Sequence, residues 1–229
     1  MHYDFKSKLN KIDSQQYRNL RIPEIDWVLN EAQELFVKMI AKPRLRNNLG
    51  FESSQRSIDD IRSIVVRDYE GVITDNVFTL PEDYWFYISS KVLMDKGACE
   101  GVLSNNLNIR QHEDEFEASV FDNSSFEWRE VNGVFYNEGI KLFDDGTFIN
   151  KSLSLNYIKK LVYLHNAEDF PGGTYTLPSG AVLSGVQNSE LPEGVHREIV
   201  DIAVYLASTN INAQDQQLKF NKLMMNNLK

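Results

Sequence analysis

Cysteine is almost absent from this 229-residue chain. Cys99 is the only one, which excludes an intrachain disulfide and fits a reducing compartment. Long apolar runs are missing too: no unbroken hydrophobic stretch comes near the ~20 residues a membrane-spanning helix needs. The opening Met1-His2-Tyr3-Asp4-Phe5-Lys6 holds no apolar stretch, so no signal peptide is expected. Basic residues are outnumbered, 24 against 33 acidic, for a net charge of −9 and a pI near 5.0. A nucleic-acid binder shows the opposite balance, so binding of polyanions by the whole surface is excluded and only a local basic patch remains open.

Catalytic signatures are lacking as well. There is no P-loop glycine-lysine motif, no G-x-G-x-x-G after a strand and no G-x-S-x-G elbow. The four histidines, His2, His112, His165 and His196, do not pair at metal-ligand spacing. Cys99 sits in Gly97-Ala98-Cys99-Glu100-Gly101 with no histidine close in sequence, which reads as a buried structural thiol. No catalytic residue, metal or cofactor is expected, and the chain reads as a non-enzyme.

What is present is ordinary for a globular protein: 42% hydrophobic and 25% charged residues in 26.4 kDa, enough to bury about 70% of the unfolded surface. Residues 1–21 are polar with Tyr3, Phe5, Leu9 and Ile12 widely spaced, an arm or weak helix. Pro23 stands where a helix can start, and Ile25, Val28, Leu29, Ala32, Leu35, Phe36, Met39 and Ile40 repeat at helical spacing until Pro43. A short second helix is expected from Ser57, with Ile58, Ile61 and Val65 on one face. Val72-Ile73 and Val77-Phe78 flank a turn, a β-hairpin pattern. Tyr84 to Met94 stays ambiguous between helix and strand.

From about 96 to 188 helical periodicity gives way to short β-like runs between turn residues such as Asn132-Gly133, Glu138-Gly139 and Asp144-Asp145-Gly146. Pro192-Glu193 then opens a strongly apolar helix carrying Val195, Ile199, Ile202, Ala203 and Leu206, and 212–228 reads as a last helix. These patterns predict an α+β fold. A helical body is built from 1–95 and 189–229, with a small hairpin near 69–80, and an antiparallel β domain is inserted at 96–188.

Several residues invite a functional reading beside a plainer one. Trp27 falls about 200° around its helix from Ile25, among Glu31, Glu34 and Lys38; it either packs under the N-terminal arm or anchors an interface. Met224 and Met225 lie on a last helix without a clean polar face, which suits contact outside the subunit. Lys38 to Arg67, with Arg44 and Arg46, carries seven basic against three acidic residues, a net +4: a solvated face, or a docking surface for an acidic partner. The acidic run Glu113-Asp114-Glu115-Phe116-Glu117 is a solvated edge, a weak cation site, or a channel-facing loop that repels DNA phosphates. His196 lies early on its helix near Ile199 and Ala203, where a core histidine bonded to backbone is the plain reading.

Four segments together resemble the neck or ring proteins of podovirus-like tailed bacteriophages, most closely those of crAss-like phages. They are Ile25-Asp26-Trp27-Val28-Leu29-Asn30-Glu31-Ala32-Gln33, Leu80-Pro81-Glu82-Asp83-Tyr84, Leu155-Asn156-Tyr157-Ile158-Lys159-Lys160, and Glu190-Leu191-Pro192-Glu193 through His196-Arg197-Glu198-Ile199-Val200-Asp201-Ile202-Ala203-Val204. Leu161 stands where similar proteins often carry a proline. The resemblance spans about 20–225. It implies a virion structural protein of the head-to-tail connector, assembled in the host bacterial cytoplasm as a ring of identical subunits, twelve if it matches the portal. Its partners would be the portal protein and adjacent neck and tail ring proteins. Genomic DNA would pass through without sequence recognition during ejection, and no membrane is involved. Two rival readings remain: a small hydrolase using Glu or Asp with His165 or His196, and a β-rich module binding glycan or host surface through Trp85, Trp128 and Tyr136.

Overall fold

The computed structural model describes residues 1–12, 20–41, 59–97, 101–110, 124–137 and 139–209. The chain divides into two compact units, one formed by Met1–Ile64 with Leu161–Lys229, the other by Val65–Lys160.

The Val65–Lys160 unit is a single eight-stranded sheet. Its strands are β1 (Val65–Gly71), β2 (Ile73–Thr74), β3 (Val77–Thr79), β4 (Tyr84–Asp95), β5 (Val102–Arg110), β6 (Val131–Tyr136), β7 (Gly139–Leu142) and β8 (Ile149–Lys159). They lie in the order β1-β8-β4-β5-β6-β7-β3-β2, with β5 and β6 parallel and the other neighbours antiparallel. The two edge strands, β1 and β2, are consecutive in the chain and joined by Val72 alone, so the edges are brought together and the sheet is nearly closed, like a barrel. Closure removes the free edges that would otherwise invite pairing with other chains.

The expected helical body with an inserted β domain is therefore overturned: the protein is mostly β, and the helices are few. Residues 65–95, placed in the helical body from sequence, are strands β1 to β4. The helix expected from Ser57 starts outside the described residues. A helical turn at 59–61 passes through a 3-10 turn, Arg62–Ile64, into β1. The ambiguous Tyr84–Asp95 run is a twelve-residue strand, the pleated surface that suits its aromatic and β-branched side chains.

The hairpins form where turn chemistry permits. Asp75 and Asn76 both take positive φ (51° and 59°) between β2 and β3, as a two-residue hairpin turn demands. Inside the sheet, Phe78, Val92, Met94, Ile140, Leu142, Leu153 and Leu155 are buried. An aromatic series crosses the interior: Tyr69 meets Phe78 and Tyr157 edge-on at 6.4 and 5.9 Å, and Tyr84 lies 5.9 Å from Tyr157 and 6.3 Å from Phe135. Tyr157 donates to Asp83 at 2.8 Å.

Burial pushes both Tyr84 and Tyr157 up to about 12, with the hydrogen bond to Asp83 adding to the effect at Tyr157. A phenol ionises near pH 10 in an unfolded chain, so the stabilisation these two groups provide is intact below pH 10 and is lost as pH rises through 12. Ultraviolet phenolate titration should show Tyr84 and Tyr157 among the late-ionising tyrosines, with their ionisation coinciding with loss of near-ultraviolet circular dichroism. Tyr157→Phe should remove one of them. Ionisation of every tyrosine near pH 10 with the fold intact would contradict this.

The described residues of the other unit include the helices α1 (His2–Ile12), α2 (Ile22–Ala41) and α3 (Glu193–Thr209). Between the sheet unit and α3 run β9 (His165–Asn166), a 3-10 turn Ala167–Asp169, β10 (Thr174–Thr176), β11 (Val182–Ser184) and β12 (Val186–Gln187), paired as β9 with β12 and β10 with β11. Glu24 reaches back to accept from the Arg21 backbone N–H at 2.8 Å, half of a capping box at the start of α2. The core combines Phe5 and Leu9 of α1, Ile25, Leu29, Ala32 and Phe36 of α2, and Val195, Ile199, Ile202 and Ala203 of α3. Of the 1–21 segment, read from sequence as an arm or weak helix, His2–Ile12 is helical, with Phe5 and Leu9 buried. Among the described residues no helix is long and apolar enough to cross a membrane.

Candidate functional site

The α2 helix turns three polar side chains inward besides its apolar stripe, Asp26 and Gln33 buried and Asn30 half-buried. Asp26, Asn30 and Gln33 follow one another at i, i+4 and i+7, so they share one face of the helix. Asp26 is 0% exposed. One carboxylate oxygen meets His2 Nε2. The other accepts from the Tyr175 hydroxyl at 2.5 Å and from the Asn166 backbone N–H at 3.2 Å. Asn30 donates to the Leu164 carbonyl at 2.6 Å and accepts from the Leu164 N–H at 2.8 Å, the two-way pairing a neighbouring strand would make. Gln33 donates to Asn30 at 3.2 Å and accepts from Ser189 at 2.5 Å. Three residues of one helix thereby seat α1, the 164–175 segment and the lead into α3. Each buried polar atom that finds a partner avoids a desolvation penalty of about 1–3 kcal/mol.

This network also sets the tyrosines near it. Burial, then the hydrogen bond to Asp26 and its negative charge, push the Tyr175 phenol far up. Burial and the Asp26 charge likewise raise Tyr163, partly offset by a hydrogen bond with Asn30. Both hydroxyls therefore remain donors at any ordinary pH. The Asp26 carboxylate is enclosed, its oxygens taken up by His2, Tyr175 and the Asn166 N–H.

The chemistry lies instead on the outer side. The ring of Tyr175, anchored through its hydroxyl to Asp26, helps to line an open groove of about 500 Å³. Pro23, Trp27, Tyr163, Leu177 and Ala207 are among its walls, and Glu24 is its charged member. Trp27 is 57% exposed, a large apolar area for a side chain at a protein surface. Glu24, Glu31 and Glu34 lie at −3, +4 and +7 from Trp27 on α2, all exposed, with Glu34 held by Lys38 at 3.0 Å. The groove is thus largely apolar, with Glu24 in its wall.

Of the residues singled out from sequence, Trp27 is found in this groove, which Leu20 of the N-terminal 1–21 segment also lines. Arg44, Arg46, Met224, Met225 and the acidic run Glu113, Asp114, Glu115 and Glu117 lie outside the described residues, as does Cys99. His196 places Nε2 2.9 Å from the Leu191 carbonyl, a backbone bond that fixes the ring, and it borders a charged cleft of about 490 Å³ with Asp4, Lys8, Glu193 and Arg197. Lys8 in turn pairs with Asp201 at 2.5 Å. Among the described residues no group of three or more His, Cys, Asp or Glu side chains is placed to hold a metal ion. The residues missed from sequence are Asp26, Asn30 and Gln33 as an inward-facing set, with Tyr163 and Tyr175 across from them. No protein-family model and no curated protein sequence matches the chain.

Proposed function

We propose that the chain is a structural subunit of the head-to-tail connector of a podovirus-like tailed bacteriophage, assembled with identical copies into a ring around the DNA channel, next to the portal and neighbouring neck or tail rings. The observation that carries this reading is Trp27. It stands within the Ile25–Gln33 segment that bears the resemblance, and it is presented at the surface of a helix held rigidly from behind by Asp26, Asn30 and Gln33. A rigidly backed aromatic beside an apolar groove is the anchor type that dominates subunit interfaces. The net charge of −9 suits a channel protein past which DNA phosphates slide without adhering.

A ring needs a heterologous contact, one surface meeting a different one, with a rotation that closes. The groove would supply one of the two. Native mass measurement and electron microscopy of the purified full chain, alone and mixed with the portal protein, test the proposal. Closed rings, free or seated on the portal, are the expected result, and Trp27→Ala should reduce their population at least ten-fold, the effect of about 1.4 kcal/mol lost per interface. A chain that stays monomeric at every concentration and leaves the portal bare would exclude it.

A further inference from the structure

The second surface of that contact is legible from where the chain goes next. Ser189 bonds to Gln33, in the middle of α2, whereas Ala207 lines the groove with Pro23 and Trp27 near the start of α2. The α3 helix therefore runs antiparallel to α2 and delivers the chain to the groove. Residues 210–229 follow, beginning three residues after Ala207. They carry Ile211, Leu218, Phe220, Leu223, Met224, Met225 and Leu228, together with three lysines against one aspartate, a net +2. An apolar, basic segment of twenty residues thus follows directly on an apolar groove whose charged wall residue is Glu24.

We infer that the groove at Trp27 is the receptor for the 210–229 segment of a neighbouring copy of this chain, so that each subunit gives its C-terminal segment to the next. The inference rests on the ring reading and names the partner surface that reading requires. Twenty residues reach about 30 Å even as a compact helix, enough to cross from the end of one α3 to an adjacent subunit. Apolar side chains would fill the space between Trp27, Tyr163 and Leu177, while Lys219 and Lys222 would face the glutamates of α2. Donation in one direction around the ring is a heterologous contact, and many such contacts together make a firm joint from modest pairwise affinity. The competing effect is local concentration: a segment tethered to its own groove rim meets that groove at millimolar effective concentration. The experiment must therefore separate donation to a neighbour from folding back.

Two full-length chains, both carrying Cys99→Ser, are co-expressed. One bears Thr176→Cys at the exposed groove wall, the other Met225→Cys, or Leu218→Cys as a second position. Mild oxidation should convert most of the pair to a disulfide-linked heterodimer on a denaturing gel, and Trp27→Ala in the groove-bearing chain should sharply reduce the yield. A single chain carrying both cysteines should give linked oligomers. If that chain instead cross-links only within itself, the segment folds back and the inference is overturned. If rings form but no cross-link appears at either position, or if a chain truncated after Thr209 still makes rings, the donated segment is wrong while the ring stands. If the chain is monomeric and nothing cross-links, both the inference and the ring reading fall.

Discussion

Asp26→Ala should destabilise the helical unit by about 4 kcal/mol, because breaking a buried charge-containing network leaves partners that no longer find an acceptor. The carboxylate is fully enclosed and gathers His2, Tyr175 and the Asn166 N–H. Alanine removes the acceptor for all three at a position that is wholly enclosed. Tyr175→Phe takes away one donor and keeps the ring that lines the groove, at a cost of about 1.5–3 kcal/mol, the range for a hydrogen bond to a charged group. The double variant should be milder than the two losses added, since the second change removes a donor already orphaned by the first. The neighbouring Trp27→Ala, which truncates an exposed side chain, should cost far less. Urea unfolding followed by far-ultraviolet circular dichroism measures all four. Equal stability of Asp26→Ala and Trp27→Ala would mean that the polar face of α2 does not hold the unit together.

That face was open to view in the sequence and still went unread. Apolar spacing marks α2 plainly, and its observed span, Ile22–Ala41, encloses the Ile25–Ile40 repeat and ends before Pro43. Asp26, Asn30 and Gln33 repeat at the same helical spacing, yet polar residues beside an apolar stripe default to the solvent side. What turns them inward is the identity of their partners, which are as far as 156 residues away in the chain, at Ser189. No local pattern carries that information. Trp27 was legible for the opposite reason: its position among Glu31, Glu34 and Lys38 is a local contradiction, visible without partners.

The same division runs through the sheet. The β2–β3 and β6–β7 hairpins follow from turn residues and short alternating runs. The strand order does not, because β8 inserts between β1 and β4, joining residues about ninety positions apart such as Val65 and Ile158. Once β1 and β4 flank β8, residues 65–95 belong to the sheet, and the helical-body expectation fails for want of that single long-range pairing.

Gly139→Ala should be among the most damaging single-methyl additions in the protein, at about 3 kcal/mol or more, the upper range for overpacking. A Cβ built at Gly139 would lie 2.0 Å from the Phe78 carbonyl oxygen and 2.9 Å from its carbon. Both obstacles are backbone, so no rotamer change relieves the clash. Gly139 pairs with Thr79 where β7 meets β3, and β3 carries β2, the strand that brings the sheet edges together. To admit the methyl group, β7 and β3 must separate, and the barrel opens at its closure. Gly71→Ala meets the Phe78 ring at 2.7 Å and the Tyr69 ring at 3.4 Å, side chains able to turn at the expense of the edge contact between them. Gly146→Ala meets nothing within 4 Å and costs only its left-handed backbone at φ 77°, about 1 kcal/mol. The order Gly139, then Gly71, then Gly146 in thermal and urea stability follows from what each methyl group would touch. A Gly139→Ala protein as stable as Gly146→Ala would mean that β7 and β3 do not approach so closely, and with them the near-closure of the sheet would be lost.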